Sequence, residues 1–263
     1  MKPAMKAIIR KDIRGITANR QLFSMILLVP LMLSVLLPSL FVLLTHFMPE
    51  ESADFQKVLD MMPFFAPGED TETRVLRLII DYMLPMFFLM IPVMASSVMA
   101  GSAFVGEKEK QTLETLLYCP LSLKEIFRAK VIATFGLGMG VSALSFLSML
   151  LVVETQIYLL RGAFLWPSAS WLMILLLVAP ALSLIAITLI VRVSAKAQNA
   201  VEAQQSAVFL VLPIIFLMAG QMTGVLLLNA WILLGIGLGA AGLAFLLLSR
   251  AMSGFTYEKL LKR

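Results

Sequence analysis

Cysteine, histidine and charged side chains are all scarce in this chain of 263 residues. The single cysteine, Cys119, has no partner for an internal disulfide and excludes a metal site built from several cysteines. The single histidine, His46, excludes zinc chemistry of the HExxH type, which needs two imidazoles. Charged residues make up 14% of the chain, against about 25% in soluble domains. We therefore expect no catalytic residues, no metal site and no soluble domain.

What is abundant is apolar: 60% of the residues are hydrophobic, and the mean hydropathy is +0.94. A membrane-spanning helix needs about 20 mostly apolar residues. We predict one all-α membrane domain, 1–263, in which a single apolar stretch breaks near 220–229 to give the last two spans. Whether that break is re-entrant is left open. The six predicted spans lie at about 22–47, 78–105, 131–153, 171–191, 202–220 and 225–248.

Lysine and arginine are distributed unevenly between the predicted loops. All but four of the 21 fall in the N-terminal segment, the loops that follow the second and fourth spans, and the tail 249–263. Basic loops stay on the cytoplasmic side, so both termini are predicted to be cytoplasmic, in a bacterial inner membrane. The acidic loop 48–77 is then extracytoplasmic. The net charge of +5 indicates this topology and not a nucleic-acid surface.

The N-terminal segment 1–21 alternates apolar and basic residues at helical spacing. Isoleucines recur from Ile8 to Ile16, with basic residues between them. This pattern is typical of an amphipathic helix that lies in the headgroup layer, so we predict an interfacial (elbow) helix before the first span. Its membrane-surface residues are predicted to be Lys6, Arg10, Lys11 and Arg14.

Pairs of glycines with GxxxG spacing occur in two of the spans. Gly136 and Gly140 lie in the third, and Gly235 and Gly239 in the sixth. Small residues at this spacing let helices approach closely. We expect tight packing at these positions, either within the bundle or across a dimer seam.

The cytoplasmic loop 106–128 is the most informative segment. Residues 107–118 favour a short amphipathic helix, Pro120 ends it, and Ser122 with Glu125 fits a capping box that starts the next helix. The preceding GSAFVGEK resembles a phosphate-binding loop, but Glu107 stands where that loop needs lysine. We therefore expect no ATP binding by this route, and a charged helix face offered to a cytoplasmic partner.

The run GEKE-x-x-TLE-x-LL-x-x-P-x-S-x-x-EI-x-x-x-K, from Gly106 to Lys130, resembles the signature of ABC-2 type permeases. It is most similar to the branch of sodium- and drug-export permeases. The resemblance implies a fold like that of ABC-2 (type V) exporters, and a non-catalytic permease without cofactors of its own. ATP and magnesium would be bound by a separate ATP-binding subunit, and the permease would work as a homodimer or with a second ABC-2 permease, among membrane lipids.

In such a permease, residues 107–118 would form the coupling helix that seats in the ATP-binding subunit. By this resemblance the coupling interface comprises Glu107, Lys108, Glu109, Lys110, Thr112, Leu113, Glu114, Leu117 and Pro120. The substrate-binding residues are unknown, and the cargo could be a drug, a peptide, a lipid or an ion.

Other functions remain open alongside export driven by an ATPase. A secondary transporter or channel would act without an ATPase, but it usually carries ionisable residues inside its spans, and the span centres here have none. A membrane assembly factor for another complex is a further alternative. An intramembrane enzyme would need paired aspartates or a serine–histidine pair in the spans, which one interfacial histidine cannot supply.

Overall fold

The computed structural model describes residues 2–47, 71–109, 112, 120–162, 164–194, 197, 199–205, 208–222 and 230–253. Every regular element in these ranges is helical. In chain order the helices are α1 (Pro3–Ala18), α2 (Arg20–Phe47), α3 (Thr71–Leu78), α4 (Leu84–Ala100), α5 (Gly106–Glu109), α6 (Leu123–Arg161), α7 (Ala169–Met173), α8 (Ala179–Ser194), α9 (Ala200–Gln205), α10 (Val208–Met222) and α11 (Ala230–Ser253). The segments that join α3 to α4, α4 to α5 and α7 to α8 are π-helical: Ile79–Met83, Gly101–Val105 and Ile174–Val178.

Six helical segments of the described chain are long and apolar enough to cross a membrane. This confirms the predicted all-α fold with six spans, and the chain is a multi-pass membrane protein. Most of the predicted outer loop and the end of the tail, residues 48–70 and 254–263, lie outside the described residues. The six segments are Arg20–Phe47, Glu72–Val105, Leu123–Arg161, Ala169–Ser194, Ala200–Gln221 and Trp231–Met252.

The third spanning helix is much longer than its apolar stretch. The hydropathy pattern predicts a span over 131–153, whereas α6 has 39 residues. Hydropathy detects only the apolar run of a helix, which is the part that lipid can surround. The helix itself continues through its polar flanking residues until a cap ends it. Gly162 provides that stop, with φ of +67°, a left-handed conformation that glycine adopts at little cost.

Two of the π-helical segments end two residues before a proline. Ile79–Met83 ends just before Pro85, and Ile174–Val178 ends just before Pro180. Proline has no backbone N–H, and its ring clashes with the carbonyl four residues earlier. The helix therefore widens locally and continues across the proline without breaking.

Helix α1 begins with Pro3 in its first turn, where the missing N–H costs no hydrogen bond. One side of α1 is buried in the protein, through Ile8, Asp12 and Ile16. These residues are spaced by four, so they share a face, and they pack mainly toward α6. The structure thus contains the predicted helix, and its position in the membrane interface stays a prediction.

The two largest groups of buried side chains in the described part of the chain fill the bundle. In the first group Phe88, Phe146 and Trp171 pack with ring centroids 5.3 to 6.0 Å apart. The indole N–H of Trp171 donates to the carbonyl oxygen of Ile80 over 3.0 Å, so this fully buried ring leaves no donor unpaired. The second group surrounds Phe104, nearer to α1, α5 and α9. We call the end of the bundle formed by α1, α5 and α9 the α1 end.

The closest helix contacts do not occur at the GxxxG pairs. A Cβ built on Gly138 would collide with the side chain of Ser96, and one on Gly237 would lie 2.6 Å from Leu177 Cδ2. By contrast, a Cβ on any of the four predicted glycines would have no such neighbour within 4 Å in the described part of the chain: Gly136, Gly140, Gly235 and Gly239. The four glycines therefore make no close helix contact within the described bundle, because the glycine between each pair faces the neighbouring helix. Their packing across a dimer seam stays a prediction.

Candidate functional site: the α1 end

The predicted coupling segment begins as a short helix at the α1 end. Gly106–Glu109 forms α5, and the backbone N–H of Thr112 donates to the carbonyl oxygen of Glu107 over 2.9 Å. Pro120 is exposed at the bend that precedes α6. Beyond its first turn, helix 107–118 stays a prediction. Outside the described residues lie the side chain of Lys108 and the whole of Lys110, Leu113, Glu114 and Leu117.

Glu107 is turned into the protein and not toward solvent, with 6% of the residue exposed. Its carboxylate forms an ion pair with Lys11 of α1, and its Oε2 lies 2.8 Å from Lys130 Nζ of α6. A buried carboxylate needs such partners because it has lost its hydration. Glu107 therefore ties together α1, α5 and α6 within this chain, and its contact with a partner subunit stays a prediction.

Lys130 is the most buried charged residue of this group, at 3% exposed. Its ammonium lies 3.7 Å from Asp12 Oδ2 and donates to the carbonyl oxygen of Ala103 over 2.5 Å. It also lies 5.5 Å from the centroid of the Phe104 ring, within the range of a cation–π contact. One lysine thus reaches α1, α5 and the π-helical segment before α5.

Two bases and two acids make up what we call the α1-end charge cluster: Lys11, Asp12, Glu107 and Lys130. Their formal charges cancel. Burial raises the pKa of Asp12, and the nearby ammonium of Lys130 opposes that rise. Burial outweighs the attraction of Lys130, so the pKa of Asp12 stays above its ordinary value.

Glu109 makes a second link, to the segment before the fifth span. Its Oε1 accepts a hydrogen bond from the backbone N–H of Ala200 over 3.3 Å. Asn199 caps the same helix, because its Oδ1 accepts from the N–H of Glu202 over 2.8 Å. Nearby, a Cβ on Gly101 would lie only 3.1 Å from the Ala200 carbonyl oxygen. The start of the coupling segment is therefore connected to α9 as well as to α1 and α6.

The predicted capping box at the start of α6 is present. The Ser122 side chain accepts from the backbone N–H of Glu125, and the Ser122 N–H donates to Glu125 Oε2 over 2.9 Å. The other oxygen of this carboxylate lies 2.7 Å from Lys2 Nζ. The cap therefore also joins the N-terminus of α1 to the start of α6.

All four residues predicted for the membrane surface are exposed on α1. Lys11 alone among them has an ion-pair partner in the α1-end charge cluster, and its side chain is still 54% exposed. Their location is compatible with contact to lipid headgroups, which stays a prediction. The four are Lys6, Arg10, Lys11 and Arg14.

At the opposite end a smaller polar group joins the first three spans. His46 Nδ1 lies 3.2 Å from Glu72 Oε1, and Arg161 donates to Thr73 Oγ1 over 2.7 Å. Arg161 also lies 4.0 Å from the second oxygen of Glu72. The lone histidine therefore takes part in a contact between helix ends.

An apolar groove of about 260 Å³ lies between α2, α4 and α9. Gln204 is the one residue with a polar side chain on its walls. A hydrophobic or amphipathic molecule would fit such a lining better than a hydrophilic one. The lining comprises Leu22, Met25, Ile26, Val29, Pro30, Leu33, Ile91, Met94, Ala95, Val98, Val201 and Gln204.

Asp12 and Lys130 are the site residues that sequence reasoning missed. In the sequence, Lys130 is only a basic residue before the predicted third span and the last residue of the signature. Asp12 is surrounded in the sequence by basic residues and does not stand out among them. Its spacing of four from Ile8 and Ile16 nevertheless puts it on their buried face. An acid in the middle of an otherwise apolar helix face is the signal that could have shown it.

Residues 3–220 match the family model of the ABC-2 type transporter. Over 170 residues, 62% of this chain, the sequence is 29% identical to the ABC transporter permease protein NatB of Bacillus subtilis (strain 168). That match covers 44% of the length of NatB. From the family match and the six spans, we conclude that the chain belongs to the ABC-2 type transporter family.

Proposed function

We infer that this chain is the membrane-spanning permease subunit of an ATP-binding cassette exporter. A separate ATP-binding subunit would hydrolyse ATP and dock at the α1 end, which would face the cytoplasm. Cargo would leave across a bacterial cytoplasmic membrane through a pair of permeases. Family membership and the similarity to a permease support this assignment.

One structural observation carries the proposal: the start of the coupling segment is joined to three other parts of the bundle. Glu107 contacts α1 and α6, and Glu109 contacts the N-terminus of α9. A movement imposed on residues 106–109 would therefore be passed to helix α1 and to the third and fifth spans. A permease that is driven by a separate ATP-binding subunit requires such connections between its coupling segment and its spans.

The cargo is proposed to be hydrophobic or amphipathic. The groove between α2, α4 and α9 is lined almost entirely by apolar side chains, which supports this class of molecule. Ethidium, a hydrophobic cation, is a suitable first probe of transport.

The assignment is tested by replacing Leu113 and Glu114 together with alanine. The chain is co-expressed with its ATP-binding subunit, and both co-purification and ATPase activity are measured. We expect the double variant to insert into the membrane but to lose the ATP-binding subunit. Lys124→Ala combined with Arg128→Ala, two exposed changes on α6, is the matched control and should keep the complex.

Two results would contradict the assignment. Unchanged association and ATPase stimulation in the Leu113/Glu114 variant would mean that residues 107–118 do not couple the subunits. Ethidium movement at full rate by the purified chain alone in liposomes would favour a secondary transporter or channel instead.

A further inference from the structure

Lys130 occupies a position where three segments of the chain meet. Its ammonium contacts Glu107 in α5, Asp12 in α1 and the Ala103 carbonyl in the π-helical segment between α4 and α5. Lys130 itself belongs to α6, the third spanning helix. The partners are 23 to 118 positions away in sequence, so none of these contacts follows from local helix geometry.

The cluster is balanced in charge, and three of its four side chains are buried. Asp12, Glu107 and Lys130 are each less than one tenth exposed, and Lys11 supplies the second positive charge from a more exposed position. Buried ion pairs contribute little to stability compared with apolar residues of similar size, because desolvation offsets their attraction. They do fix geometry, since each charge needs its partner in one place.

We propose that Lys130 is a positioning residue that holds the start of the coupling segment, the elbow helix α1 and the third span as one moving unit. The proposal rests on the function inferred above and adds the residue through which movement of residues 106–109 reaches α1 and α6. In this role Lys130 acts through Glu107 and Asp12. Its side chain transmits displacement because it contacts α1 and α5 at once.

The test separates a role in movement from a role in folding. Lys130→Met keeps most of the length of the side chain but leaves two acids against one base. Lys130→Met with Glu107→Gln, and Lys130→Met with Asp12→Asn, each restore the balance of charge while the Lys130 link stays broken. Arg128→Met, an exposed change of the same kind two residues away, is the matched control.

Each variant is reconstituted with its ATP-binding subunit in a Cys119→Ser background. A cysteine introduced at the exposed Ala169, at the opposite end of the bundle, reports movement through its reaction rate with a membrane-impermeant maleimide. The rate is compared with and without ATP and vanadate. Thermal unfolding and co-purification of the ATP-binding subunit are followed in parallel.

We expect the Lys130→Met single variant to unfold at a lower temperature than wild type, and both balanced double variants to recover. The double variants should still bind the ATP-binding subunit. Their nucleotide-dependent change in labelling rate should fall about tenfold. A loss of this size is typical of mutations that weaken the coupling between two distant sites. Lys130→Arg should keep most of the nucleotide-dependent change in labelling, because arginine keeps the positive charge.

Normal nucleotide-dependent labelling in the balanced variants would overturn the proposal, because the cluster would then serve stability alone. Failure of both balanced variants to fold would overturn it as well. A wild-type chain that does not bind the ATP-binding subunit, or whose labelling does not respond to nucleotide, contradicts the inferred function instead. The two failures are therefore distinct.

Discussion

At the scale of single residues, two glycines decide how closely the spans approach. Gly138 faces Ser96 of the second span, and Gly237 faces Leu177 of the fourth. In each case the flanking glycines of the GxxxG pair point away from these contacts. Spacing predicts that glycines share a face, but it does not predict which face meets the neighbour. That information comes only from the packing of distant segments.

Replacing Gly138 with alanine should therefore destabilise the bundle by about 1–3 kcal/mol, the usual cost of overpacking. The new methyl group would force Ser96 or the helix backbone to move. Gly140→Ala is the control, because its Cβ meets open space and alanine is the better helix former. Thermal unfolding in detergent measures both. Equal stability of the two variants would show that the contact at Gly138 is loose.

At the scale of secondary-structure elements, the start of α6 is stabilised by a capping box that the sequence predicts. Ser122 and Glu125 satisfy each other's backbone N–H groups, as the spacing of three predicts. The structure adds Lys2, which precedes α1 and whose ammonium lies 2.7 Å from the same carboxylate. No local pattern links residue 2 to residue 125, so this second role was not predictable.

Ser122→Ala should loosen the first turn of α6 at a cost of about 0.5–2 kcal/mol, because the helix loses its cap. Amide hydrogen exchange measured by mass spectrometry should rise in the peptide that contains Glu125 and Ile126. Ser122→Asn, which can still cap, should exchange like the wild type. Protection that survives in the alanine variant would mean that packing against α1 holds this turn without the cap.

The fold was predictable from sequence to the level of its elements, and the site was not. Apolar runs must cross the membrane, so six spans follow from hydropathy alone. Helix ends were less certain, because the polar flanks of α6 stay helical outside the apolar run. The contact of Glu107 with a partner subunit stays a prediction, and the structure adds an ion pair with Lys11, 96 positions earlier in the chain. A local pattern cannot show which of its charges a distant helix will cover.

At the scale of the whole molecule, polar contacts gather at the two ends of the bundle. The α1-end charge cluster lies at one, and His46 with Glu72 and Arg161 at the other. Between them the large side chains of α10 and α11 are mostly exposed, as Phe216 and Phe245 illustrate at 72% and 70%. Apolar surfaces of this kind pack favourably against lipid or a second permease, whereas their exposure to water would be unfavourable.

The predicted orientation can be checked by labelling single cysteines in intact cells, in a Cys119→Ser background. Lys124→Cys lies at the α1 end, which the positive-inside rule assigns to the cytoplasm. A membrane-impermeant maleimide should therefore label it only after the cells are opened. Phe164→Cys, exposed at the opposite end, should be labelled in intact cells. The reverse pattern would place both termini outside.

The length of α6 has a mechanical consequence. Thirty-nine residues at a rise of 1.5 Å make a rod of about 58 Å, whereas the hydrocarbon core is about 30 Å thick. The rod must protrude from the lipid, and a tilt of about 5° around its middle would swing each tip by about 2.5 Å. Small rotations imposed at the capped tip near Ser122 would thus reappear, with opposite sense, at the far tip near Arg161.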